Sequence, residues 1–90
     1  MSKMYSLSID EELMKKLDKL GKKNKKQVEI ILKKAEEILK NPHRYKNLRV
    51  PLNMWKRVHI DKHFVLTFSV DDDNKIVTLE DYEHHDKIYK

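Results

Sequence analysis

The spacing of hydrophobic positions changes twice along this chain, and each change predicts a change of secondary structure. Residues 5–9 alternate larger and smaller side chains, which predicts a short strand with Tyr5, Leu7 and Ile9 on its inner face. Apolar residues then recur every three or four positions as far as Pro42, which is typical of amphipathic helices. After Pro42 the apolar residues form short runs again, so the second half of the chain is predicted to be strands.

The helical region divides into two helices. Asp10 is a predicted N-cap for the first, and Gly21, the only glycine, is its predicted end. The second is expected to begin at Asn24, whose side chain caps the helix while Gln27 reaches back to it, and to end at Asn41. Its apolar stripe consists of Val28, Ile31, Leu32, Ala35, Ile38 and Leu39. Such a pair of helices is expected to form a hairpin that packs its apolar stripes on a sheet.

Three strand-like runs follow, at residues 54–60, 64–70 and 75–82, separated by short polar turns at 61–63 and 71–74. The predicted order is β-α-α-β-β-β. The fold class is therefore α+β, with a two-helix hairpin packed on a small, mainly antiparallel sheet. Ninety residues are enough for one such core, so a single domain over residues 1–90 is expected.

The amino-acid composition predicts where in the cell the protein is located and what kind of partner it binds. The chain has no cysteine and no apolar run of membrane-spanning length, which indicates a cytoplasmic protein without a membrane partner. Its net charge is +5, and residues 43–65 carry Lys and Arg with Asp61 as their only acidic residue. A basic segment on ordered structure favours an anionic partner such as a phosphate backbone. For the many helical lysines, a solvated surface is the favoured interpretation.

Alternation along the first of these strands decides which side chains share a face. Trp55, Arg57 and His59 are predicted to point one way, and Lys56 the other, among apolar neighbours. Lys56 must then extend its ammonium group to the edge of the sheet. An aromatic ring, a guanidinium and an imidazole in a row suit RNA, because a ring stacks on a base while a cation holds phosphate.

The adjacent residues His84 and His85 follow the last predicted strand. Neighbouring side chains on a strand diverge, so only one of the two can share a site with His59, and a solvent-exposed turn is the alternative for both. His84, His85 and Asp86 are potential metal ligands, but they lack a familiar ligand spacing, so no metal and no other cofactor is expected. The sequence has no glycine-rich phosphate loop and no activated serine or cysteine arrangement.

These motifs, taken in order, resemble a known family. The runs KRVHID at 56–61, FVLTF at 64–68 and HHDKIY at 84–89 resemble the C-terminal half of the RelE/ParE toxin superfamily, most closely its YafQ-type and archaeal RelE-like members. His59, His85 and Tyr89 match the family pattern. The resemblance covers residues 45–89 and implies the RelE-like, microbial-RNase-type fold over the whole chain.

The resemblance also implies an activity and partners. Toxins of this kind belong to type II toxin–antitoxin systems, and the implied activity is a ribosome-dependent endoribonuclease that cleaves mRNA in the A site without a metal, by attack of the 2′-OH. The implied partners are a RelB-like antitoxin and mRNA on the ribosome, with contacts to ribosomal RNA. Operator DNA would be bound only indirectly, through the antitoxin.

Residue roles follow from the same resemblance. His85 corresponds to the general acid, His59 to substrate positioning or the base, and Tyr89 to orientation or stacking of the substrate. Lys46 falls where a YafQ-type enzyme has a base histidine, so it would serve either as the base or only as a positive charge. His63 stands where the family has an acidic residue, and it would either supply the missing catalytic imidazole or lie in the turn. The expected RNA-binding residues are Trp55, Arg57, Lys56, Arg49 and His84.

Two functions remain as alternatives. A ParE-like toxin that inhibits DNA gyrase would share the fold, and the histidines and tyrosine at the C-terminal end are what distinguish this chain from it. A non-catalytic basic RNA-binding module would bind without sequence preference, and its affinity would fall steeply with salt.

Overall fold

The fold is taken from a computed structural model, which describes residues 4–48 and 54–88, with side chains as far as Asp86. The elements in chain order are β1 (Ser6–Ile9), α1 (Glu11–Lys23), α2 (Lys25–Lys40), a 3-10 turn (Pro42–Arg44), β2 (Lys56–Ile60), β3 (Phe64–Asp71), β4 (Ile76–His84) and α3 (His85–Ile88). The predicted α+β class and the β-α-α-β-β-β order are confirmed, and the short α3 is an addition at the C-terminal end.

The four strands form one sheet in the order β1-β4-β3-β2. β2, β3 and β4 are antiparallel neighbours, whereas β1 runs parallel to β4. A parallel neighbour needs a long crossover connection, and the α1–α2 hairpin is the first part of it. The helices therefore lie on one face of a mainly antiparallel sheet, with β4 in its interior.

The core lies between the helices and that face. Its buried side chains are Leu13, Leu17, Ile31, Ala35, Ile38, Ile60, Leu66, Phe68, Val77, Leu79 and Tyr82. On β3, the residues that alternate with Leu66 and Phe68 are Val65 and Thr67, which point to the other face and are also fully buried. The face away from the core cluster is therefore covered along β3.

A β-bulge interrupts the pairing of β3 with β4. Thr67 pairs with Asp81 and Phe68 with Leu79, so Glu80 is an extra residue on β4. The Ser69 hydroxyl donates a hydrogen bond to the Glu80 carboxylate at 2.6 Å. Leu79 and Tyr82, three positions apart, consequently both belong to the core cluster.

The predicted caps are mostly present. The Asp10 carboxylate accepts hydrogen bonds from the backbone N–H groups of Glu12 and Leu13. The prediction that α1 ends at Gly21 is wrong, because the helix continues to Lys23. Asn24 joins the two helices: its N–H donates to the Leu20 carbonyl, and its side chain accepts from the Gln27 N–H.

The Gln27 side chain does not form the predicted capping box. Its amide nitrogen Nε2 instead donates to the Tyr82 hydroxyl at 2.7 Å, and both residues are buried. A buried hydroxyl without a partner is costly, so this bond takes precedence over one at a solvated helix end. Leu7 and Leu32, predicted to face inward, remain about two-fifths exposed, at 40% and 42%.

None of the described helices is both long enough and apolar enough to span a membrane.

Candidate functional site

The predicted histidines meet at one end of the sheet. In the antiparallel register Ile60 pairs with Phe64, and Phe64 pairs with His84. The end of β2, the turn at 61–63 and the end of β4 are therefore neighbours. His59 lies one residue before that end of β2, and His85 begins α3 directly after β4.

Four imidazoles form two pairs at this end. The ring of His59 stacks on that of His85, with 5.5 Å between centroids and 26° between planes. The ring of His63 stacks on that of His84, at 6.0 Å and 10°. Of the two adjacent histidines, His85 is the one whose ring stacks on His59, and His84 is the one that stacks on His63. We call His59 and His85 the histidine pair.

Local structure separates His84 from His85. His84 is still on β4, and its ring meets Phe64 edge-on at 5.5 Å. His85 is the first residue of α3, and its N–H donates to the His63 carbonyl at 2.7 Å. The Asp86 carboxylate lies 3.7 Å from Nδ1 of His84 and 3.8 Å from Nδ1 of His85. A backbone hydrogen bond thus joins the turn at 61–63 to His85, the residue that follows β4.

Lys46 and Arg57 lie next to the histidine pair along β2. The Lys46 carbonyl accepts a hydrogen bond from the Arg57 N–H at 3.0 Å, and the Leu48 N–H donates to the Trp55 carbonyl at 2.9 Å. The segment 46–48 therefore pairs with the outer edge of β2. Lys46 is exposed, and Arg57 is half-buried two residues before His59, on the same face of the strand.

Two other predicted RNA-binding residues lie away from the histidine pair. Lys56 points to the opposite side of β2, where its Nζ donates to the Tyr45 carbonyl at 3.2 Å and to Asn47 Oδ1 at 2.9 Å. Its ammonium group thus reaches the edge of the sheet, as predicted. Trp55 is four residues from His59, roughly 13 Å along the strand, and borders a shallow cavity lined also by Asp10, Glu12, Leu13, Lys16, Glu80 and Asp81.

Arg49 and Tyr89 lie outside the described residues, so their predicted roles stay predictions. Within the parts of the chain that the structure describes, no three histidine, aspartate or glutamate side chains converge as metal ligands do.

No family model matches the chain. The sequence is 70% identical over 86 residues to an uncharacterized protein of Methanosarcina mazei, covering 96% of this chain and 100% of that one. It is also 60% identical over 87 residues to a protein of Methanocaldococcus jannaschii named "Putative toxin RelE4", covering 97% of this chain and 93% of the relative.

Solved structures share the architecture at lower identity. One is the toxin–antitoxin complex RelBE2 of Mycobacterium tuberculosis, in which a chain matches with a TM-score of 0.78 and 19% identity over 92% of this chain and 100% of that one. Another is YafQ of Escherichia coli, with a TM-score of 0.67 and 16% identity over 96% and 99% of the two chains. Both structures therefore share with this chain a fold of two helices packed on a four-stranded sheet. Together with the 60% identity to the M. jannaschii protein, this shows that the chain belongs to the RelE/ParE toxin superfamily.

Proposed function

We propose that this chain is the toxin of a RelE-family toxin–antitoxin system and an endoribonuclease that cleaves mRNA on the ribosome. The observation that carries the proposal is the histidine pair, whose two imidazoles stack 5.5 Å apart at the end of a basic strand. Imidazole both accepts and donates protons near neutral pH, and RNA cleavage through the 2′-OH requires one group for each task.

In the proposed reaction, side chains of this chain accept and donate the protons that are transferred. The 2′ oxygen attacks the adjacent phosphorus while His59 accepts the hydroxyl proton. The bond from phosphorus to the 5′ oxygen breaks, and His85 gives that oxygen a proton. The products are a 2′,3′-cyclic phosphate and a 5′-OH. The proposed role of the cations Lys46 and Arg57 is to stabilise the anionic phosphorane between these steps.

The other predicted residues have supporting roles. His63 and His84 form the second stacked pair, next to the first. Their proposed role is to contact the RNA on either side of the cleaved bond. Arg49 and Tyr89 retain their proposed phosphate-binding and substrate-orienting roles. Trp55 shares its cavity with four carboxylate residues, which repel phosphate, so it is left outside the cleavage site.

Mapping cut ends after incubation of the purified protein with translating ribosomes tests the proposal. The wild type should cut mRNA, and His85→Ala should cut about 10²- to 10⁴-fold more slowly, which is the usual contribution of a proton-transfer group. His59→Ala should also lose activity. His43→Ala is the matched control, because His43 is bonded to Asp72 and not to any residue of the histidine pair. Melting temperatures of all variants separate loss of activity from loss of fold.

The chemistry of the product ends is a second measurement. Attack by the 2′-OH leaves a 5′-OH that polynucleotide kinase labels directly, whereas attack by water that expels the 3′ oxygen leaves a 5′-phosphate that it does not label. Unlabelled ends would contradict the mechanism, and equal cutting by His85→Ala would contradict the acid assignment. Inhibition of DNA supercoiling without RNA cleavage would instead favour the ParE-like alternative.

An antitoxin partner follows from the same family membership. Solved structures that share this fold include toxin–antitoxin complexes. An acidic segment of such a partner would be complementary to the basic region of β2 and to the net charge of +5. Co-purification with the product of the adjacent reading frame should recover a stable complex that no longer cuts RNA.

A further inference from the structure

The turn of the helix hairpin carries a dense group of positive charges. Four lysines flank Asn24 with no acidic residue between them: Lys22, Lys23, Lys25 and Lys26, which we call the lysine tip. All four are exposed. Among the residues that the structure describes, none of the four ammonium groups forms an ion pair or a side-chain hydrogen bond, in contrast to Lys15, Lys16 and Lys34.

The lysine tip lies at the same end of the molecule as the four histidines. α1 begins beside Leu79, because the Asp10 N–H donates to the Leu79 carbonyl. Further along α1, the ammonium group of Lys16 bonds the carboxylate of Glu83 at 3.1 Å. α1 therefore advances in the same direction as β4, towards His84, and the tip follows Lys16 by about 9 Å of helix. On α2, Gln27 bonds Tyr82, two residues before His84.

Two of the four charges at the tip oppose the dipole of the helix that they begin, whereas Lys22 and Lys23 lie in the last turn of α1, where cations are favourable. Lys25 and Lys26 occupy the first turn of α2, which has no acidic residue. The N-terminal end of a helix is the positive end of its dipole, where cations destabilise and carboxylates stabilise. α1 follows this rule, with Glu11 and Glu12 in its first turn. A local choice that works against the fold indicates a requirement other than folding.

We propose that the lysine tip binds the phosphate backbone of RNA beside the histidine pair. The choice of RNA as the ligand rests on the proposed function. Four ammonium groups combine at one exposed surface, which is the charge pattern that a polyanion requires. The tip would thereby anchor RNA on the helix side of the site, while Lys46 and Arg57 act on the strand side. Binding there is electrostatic, without sequence preference.

The test compares two double variants of α2 with the same change of charge. Lys25→Gln with Lys26→Gln alters the tip, and Lys33→Gln with Lys40→Gln is the control farther along the same helix. Binding is measured between about 50 and 200 mM salt, the range in which phosphate contacts dominate affinity. The two probes are a single-stranded and a hairpin RNA, both with 2′-O-methyl groups. These RNAs lack the attacking hydroxyl, so binding is measured without cleavage.

The tip variant should bind more weakly and with a shallower salt dependence. Loss of two phosphate contacts lowers the slope of log K against log salt by about 1.4 for a single strand and about 1.8 for a duplex. A slope that changes with only one of the two RNAs identifies which form of RNA the tip holds. Its melting temperature should equal or exceed that of the wild type, because two cations leave the positive end of α2. The control variant should keep the wild-type slope.

The proposal would be overturned if the tip variant kept the wild-type slope of log K against log salt. It would also be overturned if the control variant lost as much RNA affinity as the tip variant. A tip variant that loses binding to an acidic antitoxin segment while it keeps its affinity for both RNAs would overturn it as well. If the tip-dependent binding is found but the wild type cuts no mRNA, the proposed catalytic function fails and the RNA-binding surface remains.

Discussion

At the scale of single residues, the contact between Gln27 and Tyr82 joins the start of α2 to β4 close to the histidines. Both side chains are buried, and the amide donates to the phenol oxygen at 2.7 Å. Burial raises the pKa of the Tyr82 hydroxyl, although the bond from Gln27 acts in the opposite direction. Tyr82 also stacks face to face on Phe64, with ring centroids 5.0 Å apart, and Phe64 in turn contacts His84. Helix packing and the position of the histidine end are thus connected.

Removal of both partners should therefore cost less than the sum of the two single removals. Gln27→Leu leaves the Tyr82 hydroxyl buried without its partner, and Tyr82→Phe does the same to the Gln27 amide. Each is expected to lower the free energy of unfolding by about 1–3 kcal/mol, and the double variant by less than the sum. Urea denaturation of the four proteins measures this. Strictly additive losses would show that the bond contributes nothing of its own.

At the scale of elements, Gly21 lies inside α1, two residues before its end. A Cβ placed at Gly21 would meet its nearest neighbour, a methyl group of Val28, at 3.7 Å, an ordinary contact distance. Its φ is not positive. Neither space nor backbone conformation therefore requires glycine here.

Gly21→Ala is expected to stabilise the protein by roughly 0.5–1 kcal/mol, because glycine loses more backbone entropy than alanine on entering a helix. A higher midpoint of urea denaturation with an unchanged slope is the predicted result. Leu20→Ala, at the neighbouring half-buried position that packs on the core, is the control and should destabilise. A lower midpoint for Gly21→Ala would mean that the Val28 methyl group cannot accommodate the added carbon.

The elements also show what a sequence can reveal and what it cannot. The period of the apolar residues and the cap at Asp10 are local properties, so the element order was predictable. The end of α1 was not predicted correctly, because Asn24 caps both helices and α1 therefore continues past Gly21. A glycine is the more familiar sign of a helix end, and it pointed to the wrong residue. The partner of Gln27 and the pairing of residues 46–48 with β2 depend on contacts distant in sequence. The lysine tip was visible as charge, but its position beside the histidines required the fold.

At the scale of the whole molecule, a cluster far along the sheet from the histidines ties three segments together. The Asp72 carboxylate accepts a hydrogen bond from the Tyr5 hydroxyl at 2.6 Å and contacts His43 Nε2 at 2.6 Å. The cluster thus joins the residue before β1, the 3-10 turn and the β3–β4 turn. The bond from Tyr5, followed by that from His43, holds the pKa of Asp72 below its ordinary 3.8.

A lowered pKa gives a stability that depends on pH in a defined direction. The ionised Asp72 stabilises the fold above about pH 4, and this contribution is lost as the pH falls through the lowered pKa of the folded state. Asp72→Asn should therefore melt below the wild type at pH 6, and the difference should shrink towards pH 3. Asp73→Asn, in the same exposed turn, is the control. A difference that stays constant down to pH 3 would show that the charge of Asp72 is not responsible.

Glu80, the extra residue of the bulge, decides which face of the sheet each later side chain of β4 occupies. It therefore also decides which residues surround the histidines at the C-terminal end. Side chains of a strand point alternately to the two faces of the sheet, so one inserted residue moves every later side chain to the opposite face. Upstream of the bulge, odd-numbered residues of β4 face the helices, and downstream the even-numbered Tyr82 does. A β4 of the same length without the bulge would turn Tyr82 away from Gln27 and exchange the surroundings of His84 and His85. In a related chain, a deletion at this position would move the proposed acid without altering a single histidine.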